Sequence, residues 1–354
     1  MFKNLPHDVL FTDETFRKHG VEHGYYFAQV PFHKSRKYLF KYLTGQIPEW
    51  KKHYSKRWLR KNLNDEHKLV YAFVYSTDCI SYAYWIANQR NIPLIIHIAD
   101  YSKEFESYQI TNILKNCSKL ICITEEMKLK YESMLGRRDI EVLHNGAENT
   151  CYEISKQPPN LDSNSSFNLC FLGGLFSHLH GECIEDFFHV VSRILPQIPK
   201  LEFHLYGQVQ PKNFLAKQLN QNGVKHHGIV MPLEKRFEIM TKAHCFVIPS
   251  TFDPKSNLEY KFSFPTKLPE LVASGRPILY YGPENTSTNH FLQSANIGIC
   301  ISRRSTQNLT DTLISIIKNY AAFYEKGKNA RSFLKQDYSA KNVRKKLSEI
   351  LKFY

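Results

Sequence analysis

The chain lacks any hydrophobic run long enough to cross a bilayer, and its first residues, Met-Phe-Lys-Asn-Leu-Pro, lack the apolar core of a secretory signal. It also lacks paired cysteines, because the eight that it contains are scattered, with no C-x-x-C pair and no metal-ligand spacing. Cys122 and Cys245 lie in short apolar runs, where a thiol packs as a small hydrophobic group. These absences predict a cytoplasmic protein with free thiols in a reducing compartment and no metal site.

Acidic residues are scarce relative to basic ones: 33 Asp and Glu against 47 Lys and Arg give a formal net charge of +14. The excess is concentrated in residues 33–61, which contain ten Lys or Arg and one acid, Glu49. Trp50, Tyr54 and Trp58 recur every four residues there, as they would along one face of a helix.

A basic helix with an aromatic face is typical of proteins that bind an anionic membrane surface, and this is the partner that we expect for residues 33–61. A first alternative is that the aromatic side chains belong to the core and the basic ones are solvated. A second is nucleic-acid binding, which we do not expect because the chain has no helix-turn-helix, zinc or RNP-type motif.

Beyond residue 68, short apolar runs alternate with helical stretches, a pattern typical of parallel βαβ units. The predicted strands are 69–75, 92–98, 119–123, 140–143, 169–172, 201–206, 245–248, 277–281 and 297–301. We therefore predict an α/β fold class with two Rossmann-like domains that face a cleft, the first of them shortened by about one βα unit relative to a complete Rossmann-like domain.

A polar stretch rich in Ser, Pro and Asn interrupts this alternation and predicts a linker. The predicted divisions are an N-terminal domain at 1–152, a linker at 153–166, a second domain at 167–335 and a C-terminal amphipathic helix at 336–354.

One predicted helix carries charged residues at the edge of the second sheet. It begins after Thr266, a candidate N-cap, and ends at Gly275, and a buried strand follows directly. Lys267 and Glu270 fall in its first turn, where α/β sheets bind ligands and where a helix favours phosphate. The alternative is that Glu270 only complements the helix dipole and Lys267 is solvated.

Four stretches of the C-terminal half, taken in order, resemble the donor domain of GT-B glycosyltransferases. They are residues 168–174, 201–207, 227–250 and 264–279. The closest resemblance is to the family-4 group of retaining enzymes that use nucleotide sugars, the glycosyl transferases group 1. Residues 120–146 resemble the end of that family's N-terminal domain.

The resemblance implies roles for several residues. Gly173 and Gly174 would let the backbone approach a diphosphate, and Gly207 would end the second strand beside them. Lys267 would neutralise phosphate charge, and Glu270 would hold the ribose.

Further roles follow from the resemblance and from two departures. His97 or Asp100 would position the acceptor hydroxyl or the sugar. The family often has a glutamate at the position of Phe262, and an Arg/Lys pair after the glycine turn, which this chain lacks. Lys261, in the loop before the helix, is a candidate to carry the phosphate charge instead.

The resemblance therefore implies a retaining glycosyltransferase that moves a sugar from a UDP- or GDP-linked donor to a glycan or lipid-linked acceptor in surface polysaccharide biosynthesis. We expect no metal and no cofactor beyond this co-substrate, because the chain has no Asp-x-Asp motif. The expected location is the cytoplasmic face of the membrane. One alternative is a non-catalytic GT-B-like subunit that binds a nucleotide sugar or a partner, and another is a nucleotide-sugar 2-epimerase.

Overall fold

The computed structural model describes residues 68–74, 76–154, 165–209, 222–230, 233–254 and 261–354, together with positions 159 and 219. The basic aromatic segment at 33–61 and the expected shortening of the first domain lie outside the described residues.

The first part of the described chain builds a four-stranded sheet of order β1-β2-β3-β4, in which β3 and β4 are parallel. Its elements are β1 (Val70–Val74), α1 (Thr77–Arg90), β2 (Leu94–Ile98), α2 (Tyr108–Asn116), β3 (Lys119–Cys122), α3 (Glu125–Leu135), β4 (Glu141–Val142) and α4 (Asn149–Ile154). A short 3-10 helix, Lys103–Glu106, precedes α2.

The second part builds a six-stranded sheet of order β10-β9-β8-β5-β6-β7, with every neighbouring pair parallel. Its elements are β5 (Phe167–Leu172), α5 (Ser177–Ile194), β6 (Leu201–Tyr206), β7 (Val224–His226), α6 (Leu233–Lys242), β8 (Cys245–Pro249), α7 (Leu268–Ala273), β9 (Ile278–Tyr281), α8 (Ser287–Ser294), β10 (Ile299–Ile301), α9 (Thr306–Lys318), α10 (Tyr320–Asp337) and α11 (Ala340–Leu351). The α/β fold with parallel strands confirms the predicted fold class. The edge strand β7 was not predicted, because its three residues include an exposed lysine and an exposed histidine.

Local sequence explains where many of these helices begin. Among the described helices, five start at a Ser or Thr whose hydroxyl accepts a hydrogen bond from a backbone amide three residues later. These caps are Ser76, Thr124, Thr286, Ser305 and Ser339. Each satisfies an amide that the helix itself leaves unpaired, and such a cap contributes about 1 kcal/mol.

Aromatic rings pack among the aliphatic side chains in the core of the second sheet, beside the buried carboxylate of Asp186. Phe187 of α5 lies 5.5 Å from the ring of Phe203 and 5.8 Å from that of Tyr281. The Tyr281 hydroxyl donates to Asp186, 2.8 Å away, and Arg304 binds both oxygens of the same carboxylate at 2.9 and 3.0 Å. These partners satisfy Asp186, so its burial is tolerated.

The described residues fall into two compact units. One contains residues 68–96, 104–119 and 354, and the other contains residues 97–103 and the described part of 120–353. The predicted boundaries at 152, 166 and 335 stay predictions. In the second unit, α11 buries Val343, Leu347 and Ile350, three of the five residues whose spacing predicts an amphipathic helix. The other two are Leu351, which is half-buried, and Tyr354, which is exposed. None of the described helices is both long and apolar enough to span a membrane.

Candidate functional site

The turns that follow β5 and β6 bring the three predicted glycines together. The amide of Gly173 donates to the carbonyl of Tyr206, 2.9 Å away. A Cβ atom on Gly207 would lie 1.6 Å from the carbonyl oxygen of Gly173, so no side chain fits there without moving backbone. A Cβ on Gly174 would meet the ring of Phe176 first, at 2.6 Å. The two turns therefore pack backbone against backbone at the carboxyl edge of β5 and β6, with aromatic rings beside the glycines.

Helix α7 carries two of the predicted charged residues and begins one residue later than predicted. Its N-cap is Lys267, which makes no side-chain cap hydrogen bond, and not Thr266. The reason is a tight turn before the helix, in which the amide of Leu268 donates to the carbonyl of Pro265 at 2.9 Å. The end of the helix is as predicted, since Gly275 follows it with a left-handed φ of 70°.

Glu270 on α7 is paired with a residue that sequence reasoning missed. Its Oε2 atom lies 2.7 Å from Nη1 of Arg236, which belongs to α6. Lys267 is largely withdrawn from solvent: burial lowers its pKa, Arg236 lowers it further, and Glu270 raises it. Three charged groups thus influence one another at the start of α7. In the sequence, Arg236 is one of several charged residues in an amphipathic helix, with nothing to distinguish it from a solvated one.

Phe262, at the position where the family often has a glutamate, is buried, with 8% of its surface exposed. Its ring lies 4.9 Å from that of Tyr101, and the ammonium of Lys130 lies 5.3 and 5.4 Å from the two ring centroids. Its backbone carbonyl accepts a hydrogen bond from the hydroxyl of Thr124 at 2.8 Å. Lys261 is exposed, with its ammonium 5.6 Å from the centroid of the Phe262 ring. The position therefore holds a packed aromatic ring with two cations beside it.

His97 and Asp100 lie at the end of β2 and just beyond it. His97 is buried, and its Nε2 atom is 3.1 Å from the carbonyl oxygen of Leu143, to which it donates when protonated at that nitrogen. Burial lowers the pKa of His97 to about 3, so the ring is neutral near pH 7. Asp100 is exposed. Their predicted roles at the acceptor stay predictions.

The region that contains the glycine turns and α7 matches a known family model, described as "Glycosyl transferases group 1", over residues 166–319. Residues 166–319 form a glycosyl transferases group 1 domain. The resemblance predicted from the sequence is therefore confirmed for this domain, and the chain carries a domain of a transferase family. No curated protein sequence matches the chain.

Solved glycosyltransferase structures are similar to most of the chain. Anabaena HepE, in complex with UDP-glucose, is 17% identical with a TM-score of 0.61, and the match covers 82% of this chain and 80% of HepE. WaaG, a glycosyltransferase involved in lipopolysaccharide biosynthesis, is 15% identical with a TM-score of 0.60, covering 90% and 85% of the two chains. S. aureus TarM is 15% identical with a TM-score of 0.58, covering 83% of this chain and 56% of TarM. At these identities the likeness concerns the fold, which is of the GT-B type.

Proposed function

We propose that the chain is a retaining glycosyltransferase that moves a sugar from a UDP- or GDP-linked donor to a glycan or lipid-linked acceptor in surface polysaccharide biosynthesis. The observation that carries the proposal is the close approach of Gly207 to Gly173 inside the group 1 domain. Both glycines lie at the carboxyl edge of a parallel sheet, which is where α/β folds bind nucleotides. The UDP-glucose bound to HepE and the lipopolysaccharide role of WaaG support the donor and acceptor classes.

In the proposed reaction, the bond between the anomeric carbon and the diphosphate breaks, and the acceptor oxygen bonds to the same face of that carbon. The proton of the acceptor hydroxyl passes to the phosphate oxygen that leaves. The leaving diphosphate gains negative charge. Lys267, largely removed from water, stabilises that charge more strongly than a solvated lysine does, and exposed Lys261 adds a second cation. Glu270 accepts hydrogen bonds from the ribose hydroxyls. We propose that the exposed carboxylate of Asp100 or the neutral ring of His97 positions the acceptor hydroxyl or the sugar.

Titration calorimetry with UDP, GDP and their sugars tests the donor site, and release of the nucleoside diphosphate in the presence of acceptor glycans tests turnover. Lys267→Gln is expected to weaken diphosphate binding about tenfold, because it removes a partly desolvated charge from the phosphates. Lys235→Gln is the matched control, since Lys235 is an exposed lysine of α6. Equal binding by the wild type and Lys267→Gln contradicts the assignment.

We also propose that residues 33–61 hold the enzyme at an anionic membrane surface. The ten basic residues of that segment support this proposal. Flotation with phosphatidylglycerol vesicles is the test. Replacing Lys51, Lys52 and Lys56 by Glu is expected to abolish flotation at low salt, and unchanged flotation contradicts the proposal.

A second candidate is a non-catalytic protein that binds a nucleotide sugar. The observation that favours it is Phe262, whose buried ring replaces a carboxylate that the family often places near the sugar. Binding of a nucleotide sugar without turnover under any acceptor supports this candidate. Release of nucleoside diphosphate that depends on the acceptor excludes it.

A further inference from the structure

The ion pair between Arg236 and Glu270 joins two helices of the group 1 domain. Arg236 is the fourth residue of α6 and Glu270 the third of α7. Nη1 and Oε2 are 2.7 Å apart, and the two side chains are 25% and 16% exposed. A pair withdrawn from water to this extent keeps its geometry better than an exposed pair, which solvent screens.

Only one oxygen of the Glu270 carboxylate is used by this pair. Arg236 binds Oε2, and among the described residues no group makes a hydrogen bond to Oε1. A carboxylate accepts at both oxygens, so Oε1 keeps its capacity to accept from a ligand. Arg236 thus anchors the carboxylate by one oxygen and leaves the other for hydroxyl groups.

The ion pair between Arg236 and Glu270 also affects the charge of Lys267, at the start of α7. Burial lowers the pKa of Lys267, Arg236 lowers it further, and Glu270 raises it. Helix α4 packs against both α6 and α7 and contributes Cys151, whose thiol pKa is raised to about 12 by burial and next by Glu270. The thiol is therefore neutral. Because Arg236 neutralises Glu270, the positive charge of Lys267 remains for an anionic ligand.

We propose that Arg236 is the positioning residue that makes Glu270 selective for a ribose diol, so that the site prefers a ribonucleoside diphosphate to its 2′-deoxy form. This inference rests on the proposed donor function. Without Arg236, the Glu270 carboxylate turns toward Lys267, its remaining cationic neighbour. It then loses its orientation toward the ribose and neutralises the lysine that binds phosphate.

Calorimetry on the full chain tests this with UDP and 2′-deoxy-UDP, and with GDP and 2′-deoxy-GDP. The wild type is expected to prefer the ribonucleotide about tenfold, or 1.4 kcal/mol. Arg236→Gln is expected to bring the ratio close to one, as Glu270→Gln does, and the double variant adds nothing to either. Arg236→Lys keeps the charge but loses the planar fork, so we expect a ratio at least threefold below that of the wild type. Lys235→Gln, on the same helix, keeps the wild-type ratio.

An Arg236→Gln protein that binds the ribonucleotide and its 2′-deoxy form more weakly by one common factor overturns the proposal, because a merely structural role has that effect. If Arg236→Gln does not fold by circular dichroism, Arg236→Lys decides, and a wild-type ratio there also overturns it. A wild type that binds the ribonucleotide and its 2′-deoxy form equally refutes the role of Arg236 but leaves the donor function intact. A wild type that binds no nucleotide refutes both.

Discussion

The proposed donor site is built in two different ways. The turns after β5 and β6 are backbone against backbone, with the carbonyl of Gly173 filling the place of any side chain on Gly207. The group at the start of α7 is made of half-buried side chains, Lys267, Glu270 and Arg236. A backbone neighbour cannot rotate away, whereas a side chain can. We therefore expect substitutions in the glycine turns to affect folding and those in the charged group to affect ligand affinity or selectivity.

The sharpest test of this difference compares two glycines of the turns. Gly207→Ala is expected to cost about 3 kcal/mol of unfolding free energy, because its Cβ would lie 1.6 Å from a backbone oxygen. Gly174→Ala is expected to cost less than about 1 kcal/mol, because its obstacle is a side-chain ring that can turn. Urea unfolding gives both values, and equal costs would contradict the distinction between a backbone obstacle and a side-chain obstacle.

A smaller effect is expected at His97, which is held by a backbone carbonyl. Its pKa is about 3 in the folded protein and near 6.5 in the unfolded chain, so the unfolded state binds more protons between these values. Stability is therefore lost as the pH falls below about 6.5, by about 1.4 kcal/mol per pH unit for this residue. From pH 7 to pH 5, His97 therefore accounts for a loss of about 2 kcal/mol of unfolding free energy.

Urea midpoints of the wild type and His97→Gln at pH 7 and pH 5 check this prediction. The variant should lose less stability on acidification, whatever its stability at pH 7. His144, whose burial lowers its pKa to about 4, remains in both proteins and supplies the residual acid sensitivity. The same loss in both proteins would refute the assignment to His97.

The smallest effect on stability is expected at Thr124, whose side chain makes hydrogen bonds to two backbone groups. Its hydroxyl accepts from the amide of Met127 at 3.1 Å and donates to the carbonyl of Phe262 at 2.8 Å. Thr124→Val is expected to cost about 1.5 kcal/mol of unfolding free energy, since both bonds are lost. Ser305→Ala, which removes a cap without a link to a distant carbonyl, should cost less. A cost for Thr124→Val no larger than that of Ser305→Ala would show that the bond to Phe262 adds nothing.

The glycine turns of the proposed donor site could largely be predicted from the sequence. The ion pair in the charged group at the start of α7 could not. Gly173 and Gly207 each follow an apolar run with strand character, and parallel strands bring their carboxyl ends to one edge. Arg236 and Glu270, by contrast, are 34 residues apart on two helices. Helical periodicity places each of them on its own helix but does not determine how the two helices pack.

Two smaller differences have the same origin. The N-cap of α7 is Lys267 and not Thr266, because a turn at Pro265 competes with side-chain capping, and local preference alone does not decide between them. The sequence shows directly that position 262 has no carboxylate. It does not show that the Phe262 ring packs against Tyr101, which lies 161 positions earlier. The chemistry of single residues is local information, whereas their neighbours depend on the whole fold.

The hydrogen bond from Thr124 to Phe262 spans 138 residues of chain, which matters during synthesis. A ribosome that adds about 10 residues per second needs roughly 14 seconds to extend the nascent chain from one partner to the other. Throughout that interval the Thr124 hydroxyl can cap α3 but has no carbonyl to receive its proton. Contacts of such sequence separation form late and slow folding, because a long loop must close first. The segment that leads into α7 is therefore anchored only after most of the polypeptide has emerged.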